Sequence, residues 1–114
     1  MERAFFLMEL NPGFEDEYDR VHEAVWPSVL EAIRESGIKT YSIFRDGTTL
    51  HFYVESEDFQ KSMEYLGKDP EHSRWNQVHR HFFASTMGPT SGEAAFAVFP
   101  EVFRFVAPAD GDGD

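Results

Sequence analysis

The chain contains no cysteine, which excludes disulfides, a thiolate nucleophile and a Cys-ligated zinc centre together. The same absence fits a reducing cytoplasm. Basic residues are also scarce: 10 Lys and Arg stand against 21 Asp and Glu, a formal charge of -11. Nucleic acid and anionic membranes need a basic footprint, so neither is an expected partner. No apolar run approaches the roughly 20 residues of a membrane span, and the N-terminal MERAFFLMEL lacks a signal-peptide pattern. The chain reads as soluble and cytoplasmic. Glycine-rich phosphate loops, serine elbows and paired-carboxylate glycosidase patterns are missing as well. The terminal DGDGD opens like a calcium loop but stops before the distal glutamate such a loop needs.

Aromatic residues, in contrast, are plentiful. Twelve Phe, 4 Tyr and 2 Trp in 114 residues give a chain that must fold around an aromatic core or pocket. That length holds one core, so residues 1–106 read as a single domain and 107–114 as a disordered acidic tail.

Hydrophobic patterning divides the domain. Residues 3–10 read as a strand that ends at the turn signal Asn11-Pro12-Gly13. A helix follows from about Phe14 to Ser36, stopped by Gly37 and interrupted by Pro27, which predicts a kink or two abutting helices. Lys39–Asp46 and Thr48–Glu55 read as two strands joined in a tight hairpin at Asp46-Gly47. Ser56-Glu57-Asp58 opens a short helix carrying Phe59, Met63 and Leu66. Asp69-Pro70 then opens another in which Trp75, Val78 and Phe82 share a face. Residues 85–95 read as a loop, and a last strand over Phe96–Phe105 is breakable at Pro100. The order βαββαβ is that of an α+β, ferredoxin-like fold. Helices cover one face of such a sheet, yet strand one is apolar on both, with Phe6 and Met8 opposite Phe5 and Leu7. A face-to-face homodimer is therefore expected.

The first helix carries the most informative residues. On a wheel at about 100° per residue, Tyr18 and His22 fall inside the apolar stripe with Phe14, Val29 and Ile33, while acids and bases occupy the opposite side. A phenol and an imidazole one turn apart in an apolar stripe need partners or a ligand. Trp26 lies at the stripe's margin and reads as packing. His72, His79 and His81 lack the spacing and nearby carboxylate of a helical metal site, so no metal is expected there.

Read as an ordered set, these residues resemble the L-rhamnose mutarotases, small dimeric α+β-barrel proteins that interconvert the anomers of a 6-deoxy sugar. The likeness covers roughly residues 3–105. It is carried by Arg3-Ala4-Phe5, Asn11-Pro12, the spaced Tyr18, His22, Trp26 and Pro27, then Gly37, Tyr41-Ser42-Ile43, Arg74-Trp75 and Glu101-Val102-Phe103. The resemblance implies that His22 is the proton donor and that Tyr18, Tyr41 and Trp75 contact sugar. Family members often carry a second tryptophan directly after the first; here that position is Asn76.

Mutarotation takes one proton from the anomeric hydroxyl and gives one to the ring oxygen, a task matched to imidazole with a reference pKa of about 6.5. Tyr18, with a phenol reference of about 10, suits positioning better than base catalysis. Trp75 offers a flat surface for a sugar C–H face or methyl group. No cofactor and no metal is required, and the expected ligand is a small neutral monosaccharide. Competing readings are the same reaction on another 6-deoxy sugar such as L-fucose, a cofactor-free monooxygenase of the same fold, and a non-catalytic ligand-sensing dimer. The second proton-transfer group is not identified by the sequence.

Overall fold

Alternation decides the first element. In strand β1, Glu2–Glu9, the side chains of Ala4, Phe6 and Met8 are buried, whereas Phe5 lies on the opposite face. The computed structural model describes residues 1–83 and 98–108.

The long helical stretch after Gly13 is broken, as Pro27 requires. Helix α1 spans Glu15–Val21 and tightens into a 3₁₀ turn over His22–Ala24. Val25 and Trp26 are then extended, with ψ of 137° and 134°, before helix α2 begins at Pro27 and runs to Glu35. Proline disfavours the α conformation in the residue before it and suits the first helical position, so the break falls before Pro27 and leaves two abutting helices.

Strands β2, Ile38–Asp46, and β3, Thr49–Ser56, form the hairpin. Asp46 stays in its strand opposite Thr49, so the turn residues are Gly47 and Thr48 rather than Asp46 and Gly47. Only Gly47 needs positive φ, at 62°, the pattern of a type II′ turn. Helix α3, Phe59–Lys68, is capped by the Asp58 carboxylate, which accepts from the Lys61 backbone N–H at 3.2 Å. Helix α4, Pro70–Val78, is capped in the same way by Asp69, which accepts from His72 N–H at 2.9 Å.

The sheet order is β1-β3-β2, antiparallel throughout. Strands β1 and β2 are thus parallel to each other with β3 between them, and α1 and α2 make the crossover. This is the split βαβ unit of the ferredoxin-like fold. At the free edge of β1, Val98 forms an antiparallel bridge with Phe6, and the Phe99 N–H donates to the Phe5 carbonyl at 2.9 Å. The last strand expected over Phe96–Phe105 is therefore short within the described residues. Pro100 has no N–H to extend the ladder, and 101–108 form no strand. An Arg3–Glu101 ion pair ties this segment back to β1. Residues 96 and 97, the expected loop over 85–95 and the tail from 109 onward lie outside the described residues.

The helices gather on one sheet face, with α2 and α3 on the strands, α4 against α2 and α3, and a 3₁₀ turn over Arg80–Phe82 following it. There Phe6, Met8, Leu50, Phe52 and Val54 meet Tyr18, Ala32, Leu66 and Phe82, with the Phe6 and Phe52 rings stacked at 4.9 Å. The buried polar pair in this layer is satisfied. Ser56 and Ser62 hydroxyls lie 2.6 Å apart, and Ser62 donates to the Ser36 carbonyl at 2.7 Å. The face expected for α4 needs one correction: Trp75 and Phe82 are buried, but Val78 is 51% exposed. The residue between them is His79, one turn after Trp75, because the i, i+4 position lies closer in angle to Trp75 than i+3 does. Among the described residues no helix is long and apolar enough to cross a membrane.

Candidate active site

Tyr18 sits at the centre of α1 and is buried to 5% exposure. One turn later the His22 ring lies over it, with centroids 4.2 Å apart. The Nδ1 of His22 is 2.8 Å from the Tyr18 carbonyl. A carbonyl only accepts, so Nδ1 carries the proton in this contact and Nε2 is left with its lone pair in the neutral ring. Burial is the main force holding the His22 pKa below the ordinary imidazole value. The bond to the Tyr18 carbonyl opposes that shift, His79 adds to it electrostatically, and Asp19 opposes it. Asp19 is itself clamped by Arg45 of β2 through two hydrogen bonds of 2.8 and 2.7 Å, which keeps its carboxyl ionised.

Strand β2 brings Tyr41 onto the helix-covered face, paired in register with Val54 and edge-on to Phe52 at 6.2 Å. The whole side chain is half-buried, yet its hydroxyl end is deep enough that burial pushes its pKa up to about 12. Tyr18 is raised far above the usual phenol range, first by burial and then by the neighbouring Tyr41 and Asp19. Both phenols therefore stay protonated and act as hydrogen-bond donors. The more exposed tyrosines, Tyr53 and Tyr65, donate to Glu55 and Glu35. Neither Tyr18 nor Tyr41 hydroxyl has a hydrogen-bond partner among the described residues, a costly state for buried polar groups unless a ligand supplies one.

Helix α4 closes the other side. Trp75 stands edge-on to His22 at 5.7 Å and to Trp26 at 5.0 Å, and Trp26 carries the Arg74 guanidinium over its ring at 4.5 Å. Trp26 thus packs behind Trp75, as its marginal place on the wheel implies. Asn76 is exposed and its amide lies 3.4 Å from the His72 ring, along the helix rather than against the Trp75 set.

The four residues singled out from sequence, Tyr18, His22, Tyr41 and Trp75, accordingly come together from α1, β2 and α4. The sequence reading missed His79, which considered it only as a metal ligand. Its ring is 4.2 Å from Trp75 and 5.3 Å from Phe82. Its spacing from Trp75 repeats that of His22 from Tyr18, which was the available signal. His81 packs elsewhere, against Phe14 and Phe82. Among the described residues no three His, Asp or Glu side chains are grouped to hold a metal ion.

The chain is similar to known proteins in both sequence and fold. The sequence model of the L-rhamnose mutarotase family matches residues 3–105. An L-rhamnose mutarotase from Burkholderia ambifaria is 37% identical over 109 residues, which covers 95% of this chain and 100% of the relative. The crystal structure of an L-rhamnose mutarotase from Formosa agariphila superposes with a TM-score of 0.74 at 23% identity, covering 93% of this chain and 100% of that one. Tetracenomycin F2 cyclase from Streptomyces glaucescens follows with a TM-score of 0.53 at 16% identity, over 95% of this chain and 100% of its own. These two structural likenesses speak for the fold alone.

Proposed function

The chain belongs to the L-rhamnose mutarotase family, and from that premise we propose that it is an isomerase that interconverts the α and β anomers of L-rhamnose by acid–base opening and reclosure of the pyranose ring. The observation that carries the site assignment is the His22 imidazole. It is oriented by the Tyr18 carbonyl, kept neutral by burial and set against the Tyr18 ring, whose hydroxyl, like that of nearby Tyr41, has no hydrogen-bond partner among the described residues. In ring opening the anomeric O1–H proton passes to Nε2 of His22, the C1–O5 bond breaks, and O5 takes a proton. Reclosure reverses both transfers, so His22 is acceptor in one direction and donor in the other. Tyr18 and Tyr41 donate hydrogen bonds to sugar oxygens, their raised pKa values making them anchors rather than bases. Trp75 supplies the flat apolar wall against which a C–H face or the 6-methyl group packs.

The same proposal extends to assembly. Opposite the helices the sheet leaves Phe44 65% exposed and Phe5 36% exposed, and the segment beyond Pro100 exposes Val102, Phe103, Phe105 and Val106. A second copy laid face to face would cover this surface, which supports a homodimer. Residues 1–106 would then act as one domain in each copy, in a cytoplasmic protein.

Equilibrium exchange NMR of the anomeric protons tests the reaction. Saturation of the α signal of L-rhamnose should transfer to the β signal far faster with protein than in buffer, and more slowly with L-fucose and D-glucose. Binding of L-rhamnose without faster exchange would replace the enzyme by a sugar sensor.

A further inference from the structure

Mutarotation moves two protons, and the reading above names a residue for only one of them. Building on that reading, we propose that His79 is the second proton-transfer group, facing the same anomeric centre as His22 from the opposite side of Trp75.

The two histidines are set in the same way. Each follows an aromatic residue by four positions at the C-terminal end of a short helix. Each has its Nδ1 at 2.8 Å from the carbonyl of that aromatic residue, Tyr18 for His22 and Trp75 for His79. Each ring lies 4.2 Å from the aromatic ring one turn before it. In both cases the contact assigns the Nδ1 proton to the helix and directs the chemistry to Nε2.

The side chains also close a circuit. Tyr18 meets His22, His22 meets Trp75 at 5.7 Å, Trp75 meets His79, His79 meets Phe82 at 5.3 Å, and Phe82 returns to Tyr18 at 6.1 Å. Tyr18, Trp75 and Phe82 are buried, whereas both histidines are only half-buried. The two imidazoles are therefore the most exposed members of this aromatic floor, with the edges of Tyr18 and Trp75 between them. A single indole spans the gap between them, and His22 senses the charge of His79 across it. Among the described residues, Asp19, already held by Arg45, and Tyr18 face His22, while Arg74 lies over the Trp26 ring that stands 6.2 Å from His79. Neither phenol suits the second transfer, because burial raises both pKa values and makes each a poor proton donor to O5.

The step balances with His22 as proton acceptor and His79 as proton donor. The O1–H proton goes to Nε2 of His22 as the O1–H electron pair forms the C1=O1 bond. The C1–O5 pair collapses onto O5, which takes the Nε2 proton of His79. Rotation about C1–C2 and reclosure on the other face return each proton along its own path. One proton leaves O1 and one arrives at O5 in each half of the turnover, so the protein ends as it began.

The test is His79→Gln beside wild type, with anomer exchange of L-rhamnose followed across pH 5 to 9 and folding followed by circular dichroism. The expected result is a loss of kcat on the order of 10²-fold with KM within about threefold, and a pH–rate profile that loses one of its two limbs. In wild type, the imidazole Hε1 resonances of both His22 and His79 should shift on adding L-rhamnose, a measurement that does not depend on any variant folding. An unchanged pH profile, with a raised KM or lowered thermal stability alone, would reduce His79 to packing and overturn the inference while the isomerase reading stands. So would a shift of the His22 signal only. A wild-type protein without exchange would remove both.

Discussion

The two faces of the sheet are made from the same strands and serve opposite purposes. Towards the helices, alternate residues of β1 and β3 are all but sealed, from Met8 at 7% exposure to Leu50 and Val54 at 0%. Away from them, Phe5 and Phe44 keep 36% and 65% of their surface in water. The covered face holds the core and the candidate site, because there Tyr18 of α1 comes near Tyr41 of β2 and leads ring to ring through His22 to Trp75 of α4. The open face pairs its phenol, Tyr53, with the Glu55 carboxylate and has the apolar surface that a second copy would bury. Period-two alternation lets one strand do both jobs, and substitutions on the two faces should therefore have separable consequences.

Phe52→Ala on the covered face should have the largest effect on the folded state. It removes a ring stacked on Phe6 and packed near Tyr41, at a cost of about 3–5 kcal/mol in urea unfolding. A loss below about 1 kcal/mol would show that the helical layer collapses to fill the space. On the open face, Phe44→Glu should leave monomer stability and anomer exchange within about twofold while halving the mass seen by light scattering. A retained dimer would move the interface away from this face. Tyr41→Phe sharpens the comparison within the covered face. It keeps the ring but removes a hydroxyl that has no hydrogen-bond partner among the described residues, so KM should rise about tenfold, the equivalent of roughly 1.4 kcal/mol, with the melting temperature unchanged or higher. An unchanged KM would mean that the sugar does not reach β2.

The smallest effect is one of pH. Burial lowers the pKa of both His22 and His72 in the folded chain. As pH falls below the ordinary value of 6.5, the unfolded chain takes up protons first. The stability tied to these neutral rings is thus complete above that pH and is lost as pH falls through their folded-state values. Thermal unfolding between pH 7.5 and 5 should show a gradual decline that the double substitution His22→Gln and His72→Gln flattens. A melting temperature that holds or rises on acidification would reverse the sign assigned to burial.

Much of this was legible from local chemistry. Asp58 and Asp69 cap helices through their own side chains, Pro27 and Pro70 begin them, and Gly47 turns the hairpin, so each acts within four residues of its place in the chain. Tyr18 and His22 were legible for the same reason, lying one turn apart on one helix. What was not legible depends on separate elements meeting. His79 looks unremarkable until α4 is laid beside α1 and Trp75 comes to stand between the two imidazoles. Val78 was placed on the buried face because an apolar residue at i+3 is the ordinary choice, whereas the structure gives that place to the histidine beside it. The wheel drawn through Phe14–Ser36 assumed a continuous phase, which the extended Val25 and Trp26 interrupt. Tyr18 and Val29 are nevertheless both buried, because each short helix keeps its own apolar stripe against the sheet.

The measurement that bears most directly on the central claim is exchange spectroscopy of L-rhamnose at anomeric equilibrium with His22→Gln. Glutamine retains an amide for hydrogen bonding but cannot carry a proton between O1 and solvent. The account predicts a folded protein whose exchange rate falls by about 10²- to 10⁴-fold towards that of buffer while L-rhamnose still binds. Exchange within a few-fold of wild type in that variant would contradict it.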